Sequence, residues 1–436
     1  MGQIKVQEKN KISLFTAIIM NINIMVGAGI FLMPPLMAQK AGNLSFLGWP
    51  TIGIIFFPVV WSISQISKYF PRQGGFYTYS KAGINKTAGF VSGWLYFLGY
   101  SAVTSLQVVG LREILVNQIK LETIHNNPIV FSFIFLGLFS ILNLLSMAFI
   151  SKIQNSVTFF KLIPLFFVIL LIVFYWNPSF TINLSDLGTL KYVLPLTLFG
   201  FWGFESSSNI SHLIKGDERN ASRAVLTGFI AVAMIYSLFH LGLLQIMGSS
   251  NLANYGVPAF AKFLNIKTQA IETLFSAFIS AAIITAYASS IFGMILSTSS
   301  SLHHMAKDHI FPFAKTIKRM NKNERPLFCV FLTGATSFFF LLFINNKVVL
   351  NSICNFGGLS AFLLTLTSLF LIQKREKDFK QIPITILAFL SCFFLLFYSW
   401  ILAGNDHYSR IISLIPLLFL AFVGFLMFKL KERNDA

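Results

Sequence analysis

Of the 15 acidic residues in this chain, Glu205 is the one set well inside an apolar run; Glu113 and Glu272 lie near the ends of theirs. A carboxylate at membrane depth costs several kcal/mol unless it is paired, hydrated or protonated. Its presence there points either to proton exchange or to a neutral acid bonding a freed backbone carbonyl. Its run, Phe199-Gly200-Phe201-Trp202-Gly203-Phe204-Glu205-Ser206-Ser207-Ser208-Asn209, combines two glycines, aromatics, the acid and a polar stretch. A second run, Asn21-Ile22-Asn23-Ile24-Met25-Val26-Gly27-Ala28-Gly29-Ile30-Phe31, holds two more glycines, with Pro34-Pro35 a turn later. Glycine has no side chain to hold helical geometry, and it admits a ligand close to the backbone. Unwound backbone at membrane depth persists only where it is packed in protein or lines a cavity. A pair of interrupted runs is therefore a pointer to a buried binding site. The plainer alternative is close helix packing through small residues.

Composition says which elements must position these residues. The chain has 436 residues, 55% apolar and only 11% charged, with Phe at 50 positions. A soluble chain needs about 25% charged residues to cover its surface, so a soluble enzyme, a nucleic-acid binder and a disordered scaffold are all excluded. A helix needs roughly 20 apolar residues to cross about 30 Å of hydrocarbon. Twelve stretches qualify, near 13–37, 46–67, 87–111, 129–149, 154–176, 190–213, 223–247, 270–298, 327–346, 349–372, 383–402 and 409–429. The expected class is an all-α polytopic membrane protein.

The glycine breaks open the first and sixth spans, which predicts a five-helix unit (13–176) repeated (190–372), then two additional helices (383–429). A cytoplasmic N-terminus (1–12) and C-terminus (430–436) would flank them. With both termini inside, the inner loops hold more than three times as many Lys and Arg as the outer ones, leaving aside Lys161 and Lys191 at span edges. The net charge of +18 is thus a topology signal. Lys5, Lys9 and Lys11 precede an apolar stretch that continues past any cleavage site, which reads as an uncleaved first span. Basic residues between Lys307 and Arg325 are placed to touch anionic lipid heads. Cys329, Cys354 and Cys392 show no paired spacing and read as small buried hydrophobes, with no disulfide frame or metal site.

Several motifs resemble the amino acid/polyamine/organocation permeases. They are Gly27-Ala28-Gly29-Ile30-Phe31 with Pro34, Pro71-Arg72-Gln73-Gly74-Gly75-Phe76-Tyr77-Thr78-Tyr79, and Phe201-Trp202-Gly203-Phe204-Glu205-Ser206. Lys215 to Ala224, opening span 7, and Met305-Ala306-Lys307-Asp308-His309-Ile310-Phe311-Pro312, after span 8, continue the match in order, so it covers roughly 13 to 372. The resemblance implies a leucine-transporter-type fold with 5+5 inverted repeats, working by alternating access. It also implies that Met25, Val26, Gly27, Ala28 and Gly29 and Phe199, Gly200, Phe201 and Trp202 line the substrate site. There the α-carboxylate would rest on the N–H groups of the first break and the amine would face carbonyls of both breaks. Half-helix ends supply such groups on general grounds.

The basic amino acid/polyamine antiporter subgroup adds further roles by position. Phe199 matches an aromatic that caps the substrate, and Tyr96 with Glu205 matches an inner gate. Thr104 stands where that subgroup has a substrate-contacting Asn, Met294 replaces a tryptophan that sandwiches a guanidinium, and Leu371 replaces a gate tyrosine. Losing the aromatic sandwich weakens cation–π recognition of arginine.

The rival reading is a membrane-embedded enzyme. His303 and Asp308 have the His-x4-Asp spacing seen in lipid acyltransferases, and a histidine with a carboxylate can deprotonate a hydroxyl. No companion motif accompanies them, and His125, His212, His240 and His407 are scattered. A channel would show a charged ring or a filter repeat, and neither is visible. The expectation is a secondary transporter of a bacterial-type inner membrane, with no cofactor and no nucleic acid. It would carry a small amino acid or amine, with protons as the candidate coupling ion.

Overall fold

The computed structural model describes residues 13–70, 75–119, 124, 126–174, 180–205, 214, 219–264, 266, 268–312 and 314–435. The expected cytoplasmic segment 1–12, Pro71 to Gly74, Ser206 to Asn209, Lys215 to Glu218, His125 and His212 lie outside these residues.

Hydrocarbon offers no partner for exposed backbone groups, so the apolar runs coil into helices. In chain order these are α1 (Leu14–Met25), α2 (Gly29–Ala41), α3 (Gly48–Tyr69), α4 (Phe76–Gly83), α5 (Lys86–Ile119), α6 (Pro128–Leu142), α7 (Met147–Leu171) and α8 (Leu190–Leu198). Then follow α9 (Arg219–Met247), α10 (Ser249–Tyr255), α11 (Gln269–Lys307), α12 (Leu327–Phe343), α13 (Lys347–Arg375), α14 (Ile382–Leu402) and α15 (His407–Asp435). Among the described residues, seven stretches are long and apolar enough to cross a membrane. Four of the remaining expected spans fall on the shorter apolar helices Leu14–Met25, Pro128–Leu142, Phe160–Leu171 and Leu327–Phe343, and the sixth span is described only as far as Glu205, through α8 and the turn that follows it.

Several helices outrun their expected spans, α5 and α11 the furthest. The third stretch was bounded at 111 and the eighth at 298, yet α5 continues to Ile119 and α11 to Lys307. Beyond the hydrocarbon a helix can continue through polar residues, and His304 and Lys307 in the last turn of α11 complement the negative end of its dipole.

Burial orders the bundle from inside to outside. The apolar window of α5 is 89% buried, against 22% for α15. α5 packs on α13, α11, α4 and α12; α1 lies along α9, and α2 along α8 and α10. The breaks between α1 and α2 and after α8 are therefore enclosed by helices on every side described, while α14 and α15 present Leu390, Phe397, Phe419 and Phe422 outward.

Candidate functional site

The first break is short. Val26 N–H still reaches Ile22 O at 2.7 Å, Gly27 N–H folds back on Met25 O at 2.8 Å, and Ala28 O receives Phe31 and Leu32 N–H at 3.1 and 2.9 Å. The carbonyl end of α1 and the N–H end of α2 thus meet across three residues, with partial charges of opposite sign. Tyr236 on α9 donates to Met25 O at 2.7 Å and holds one of these carbonyls.

The second break follows α8. Phe199–Phe201 tightens into a 3-10 turn, Trp202 leaves helical geometry at φ −58° and ψ 132°, and Gly203 takes φ +100°. That left-handed conformation favours glycine, and a Cβ there would also stand 2.6 Å from Ile24 Cγ2.

The two breaks touch. A Cβ on Gly29 would lie 2.8 Å from Gly200 Cα and 3.2 Å from Phe199 Cδ1, and one on Gly200 would meet the Trp49 and Tyr236 rings at 2.7 and 2.8 Å. A side chain at either glycine would collide with these neighbours, so both positions let the two breaks approach closely. Gly27 differs, because its neighbour is a polar side chain: its Cβ would stand 2.9 Å from Ser290 Cβ on α11.

Glu205 is buried directly after Gly203 and Phe204. Its Oε1 accepts from Tyr96 OH at 2.7 Å and from Tyr100 OH, and Tyr100 Oη accepts in turn from Gly203 N–H at 3.2 Å. Its Oε2 has no hydrogen-bond partner among the described residues, nor does any cationic side chain there pair with it. Tyr96 and Tyr100 are one turn apart on α5 with ring centroids at 4.1 Å; Phe76 of α4 stacks on Tyr96 at 4.4 Å. Trp202 sets its ring edge-on to Tyr100 at 5.6 Å and stacks on Phe362 of α13 at 5.5 Å. Asn21 Nδ2 ties α1 to Phe204 O at 3.0 Å.

The other expected site residues divide. Met25, Val26, Ala28 and Phe199 are buried around the contact of the two breaks, and Met294 Cε lies 3.9 Å from the position of a Cβ on Gly203. Thr104 is buried, but its hydroxyl is spent on Tyr100 O at 3.2 Å. Phe201 turns away from α5 and packs on Phe229, Tyr236 and Trp49 at 4.8, 5.8 and 6.0 Å.

Four residues that were not singled out join the region: Tyr100, Gln107, Ser290 and Lys161. Tyr100 was findable, since it repeats Tyr96 one turn on. Lys161 corrects an expectation. It is not at a span edge but buried within α7, 1% exposed, with Nζ donating to Asn23 O on α1 at 2.9 Å.

The rival reading's dyad is not joined by a hydrogen bond among the described residues. Asp308 accepts from Lys81 Nζ at 2.7 Å and from Tyr77 OH at 2.9 Å, bracing α4 against the end of α11. Partial burial pulls its carboxyl up, but the Lys81 ammonium and Tyr77 hydroxyl together hold it below the usual carboxylate range. His303 is buried on α11, and its ring nitrogens have no partner among the described residues. A base and a carboxylate that do not bond cannot relay a proton between them.

An all-helical bundle of membrane-length spans, with two interrupted helices meeting beside a buried acid, defines a multi-pass membrane permease. The chain belongs to the amino acid permease family, whose model matches residues 12–430, as its motifs implied. It is a secondary amino acid transporter and not an enzyme. It is 23% identical over 406 residues to the serine/threonine exchanger of Bacillus subtilis, covering 89% of this chain and 90% of that one. It is 25% identical over 348 residues to an arginine/ornithine antiporter of Pseudomonas aeruginosa, covering 75% and 69%. To the putrescine transporter of Escherichia coli it is 22% identical over 338 residues, covering 73% of each chain.

Proposed function

We propose that this transporter exchanges an amino acid or related amine across a bacterial cytoplasmic membrane by alternating access. The observation that carries the reading is the meeting of the two helix breaks beside Glu205, whose carboxyl accepts from Tyr96 and Tyr100. Met25 to Gly29, Phe199 to Trp202, Thr104 and Met294 are the proposed lining, and Tyr96 with Glu205 the inner gate. The proposed architecture is twelve spans in two five-helix repeats, 13–176 and 190–372, with two more helices at 383–429 and both termini cytoplasmic. The relatives named above move neutral amino acids, basic amino acids and a diamine, which supports the substrate class without narrowing it.

Glu205 is the proton candidate, because a carboxylate at membrane depth is costly unless paired, hydrated or protonated, and no cationic side chain among the described residues pairs with it. Lys161 on the Asn23 carbonyl is a second buried titratable group beside α1. Purified protein in liposomes tests the reading. Uptake that requires internal substrate and ignores an imposed pH gradient establishes exchange; uptake driven by the gradient in empty liposomes replaces exchange with symport. Glu205→Gln is expected to lose the pH response of transport. Transport and pH response both retained in that variant would remove Glu205 from the mechanism.

A further inference from the structure

We infer that Gln107 on α5 and Ser290 on α11 form a side-chain subsite that selects a neutral amino acid bearing a hydroxyl or a carboxamide. The inference rests on the transport site proposed above and narrows its substrate.

Gln107 is 2% exposed, in a helix that is itself the centre of the bundle. Its Nε2 donates to Ser290 Oγ at 2.8 Å, while its Oε1 has no hydrogen-bond partner among the described residues. A buried carboxamide oxygen left bare is unfavourable, so the position suits an incoming donor. Ser290 is also the side chain that crowds Gly27, which places the pair against the first break. A serine hydroxyl that accepts from Gln107 still has a proton to donate. The pair therefore offers one acceptor and one donor, which matches a hydroxyl or a primary amide.

The acids on α5 and beside it are remote or already paired. Gln107 is seven residues beyond Tyr100 on α5, about 10 Å along the axis at 1.5 Å per residue, so the tyrosine-held Glu205 lies at the far end of this stripe. The next acid on α5, Glu113, is already paired with Lys347 at 2.7 Å. Ser290 is followed one turn later by Met294, an apolar side chain. A guanidinium or ammonium placed here would be desolvated without a carboxylate, which is costly. A threonine side chain can bond both groups, whereas its isostere valine would bury them unpaired.

The test is competition for uptake of a labelled amino acid by the full-length protein in liposomes, using threonine, serine, asparagine, valine, arginine and putrescine. Threonine is expected to compete at least about tenfold better than valine, the factor one unmade neutral hydrogen bond removes. Gln107→Leu should bring the threonine-to-valine ratio close to one by losing threonine rather than valine. The ratio is internal to each variant, so Ser290→Ala and Gln107→Asn give the same readout if Gln107→Leu does not fold. Equal competition by threonine and valine in the wild type, or preference for arginine or putrescine, would overturn the subsite and leave the transport reading intact. A ratio unchanged in all three variants would do the same. Competition by none of these compounds would overturn the subsite as well.

Discussion

Two of the acids held by tyrosines in this protein differ in burial and in charge partner. Asp308, at the end of α11, accepts from Tyr77 and also from the Lys81 ammonium, with both charged side chains 43% exposed. Glu205, after the second break, accepts from Tyr96 and Tyr100, is 1% exposed, and has no cationic partner among the described residues. The exposed pair is complete: its charges cancel and water screens what remains, so it can brace α4 against α11 and do nothing more. The buried acid is incomplete, because two hydroxyl donors do not neutralise a charge in low dielectric. An incomplete site has something left to bind, a proton or a substrate group. The contrast separates a strut from a working group, although both acids lie in motifs that resemble the same permease family.

The sharpest way to break this contrast is to move Glu205 while leaving its chemistry alone. Gly203→Ala forces a side chain into φ +100° and against Ile24 Cγ2. The strain and overpacking together are expected to destabilise by about 2–4 kcal/mol. The melting temperature in detergent should fall and transport should be lost. Wild-type melting and uptake in Gly203→Ala would show that the Trp202–Glu205 backbone is not fixed as described.

Removing one tyrosine hydroxyl asks for less. Tyr100→Phe takes a donor from Glu205 Oε1 and an acceptor from Gly203 N–H. A cost of about 1–3 kcal/mol follows from the buried groups left bare. Because the carboxylate loses a donor, the pH profile of uptake should shift along with the stability. A purely structural tyrosine would lower stability and leave the profile in place, and that outcome would reduce the tyrosine pair to packing.

How much of this was legible beforehand depends on the kind of signal. Both breaks were written in glycine pairs inside apolar runs, and Glu205 was conspicuous as an acid in the same setting. What those glycines do was not legible. Gly29 faces the backbone of Gly200, and Gly200 faces the Trp49 and Tyr236 rings, contacts between residues far apart in the chain that no local pattern encodes. Lys161 was misplaced for a local reason. The apolar run was started at 154, which set Lys161 near its edge, yet α7 begins at Met147 and places Lys161 well inside the helix. Gln107 gave no sign at all, because a glutamine in a long helix becomes informative only when its partner and its bare oxygen are seen. Phe201 and Trp202 were expected on the same surface, but adjacent residues in an unwinding turn point apart: Phe201 toward α9 and Trp202 toward α5 and α13.

The smallest effect is expected at the strut, and its smallness is the informative part. Asp308→Asn removes the charge that Lys81 pairs with and weakens the bond from Tyr77. Both ionic side chains are more than a third exposed, so solvent screening keeps the loss within about 1 kcal/mol, and added salt should shrink it further. The sign of its pH dependence follows from the carboxyl being held below its ordinary value. The bracing is present above the unfolded-state value of about 4 and is lost as pH falls through the lower folded-state value. The melting difference between wild type and Asp308→Asn should therefore exist at neutral pH and close on acidification, with uptake near wild type wherever both are folded. A large loss of uptake at neutral pH, with melting unchanged, would make Asp308 a working group after all. The distinction between a paired acid that braces and an unpaired acid that works would then fail at its simpler end.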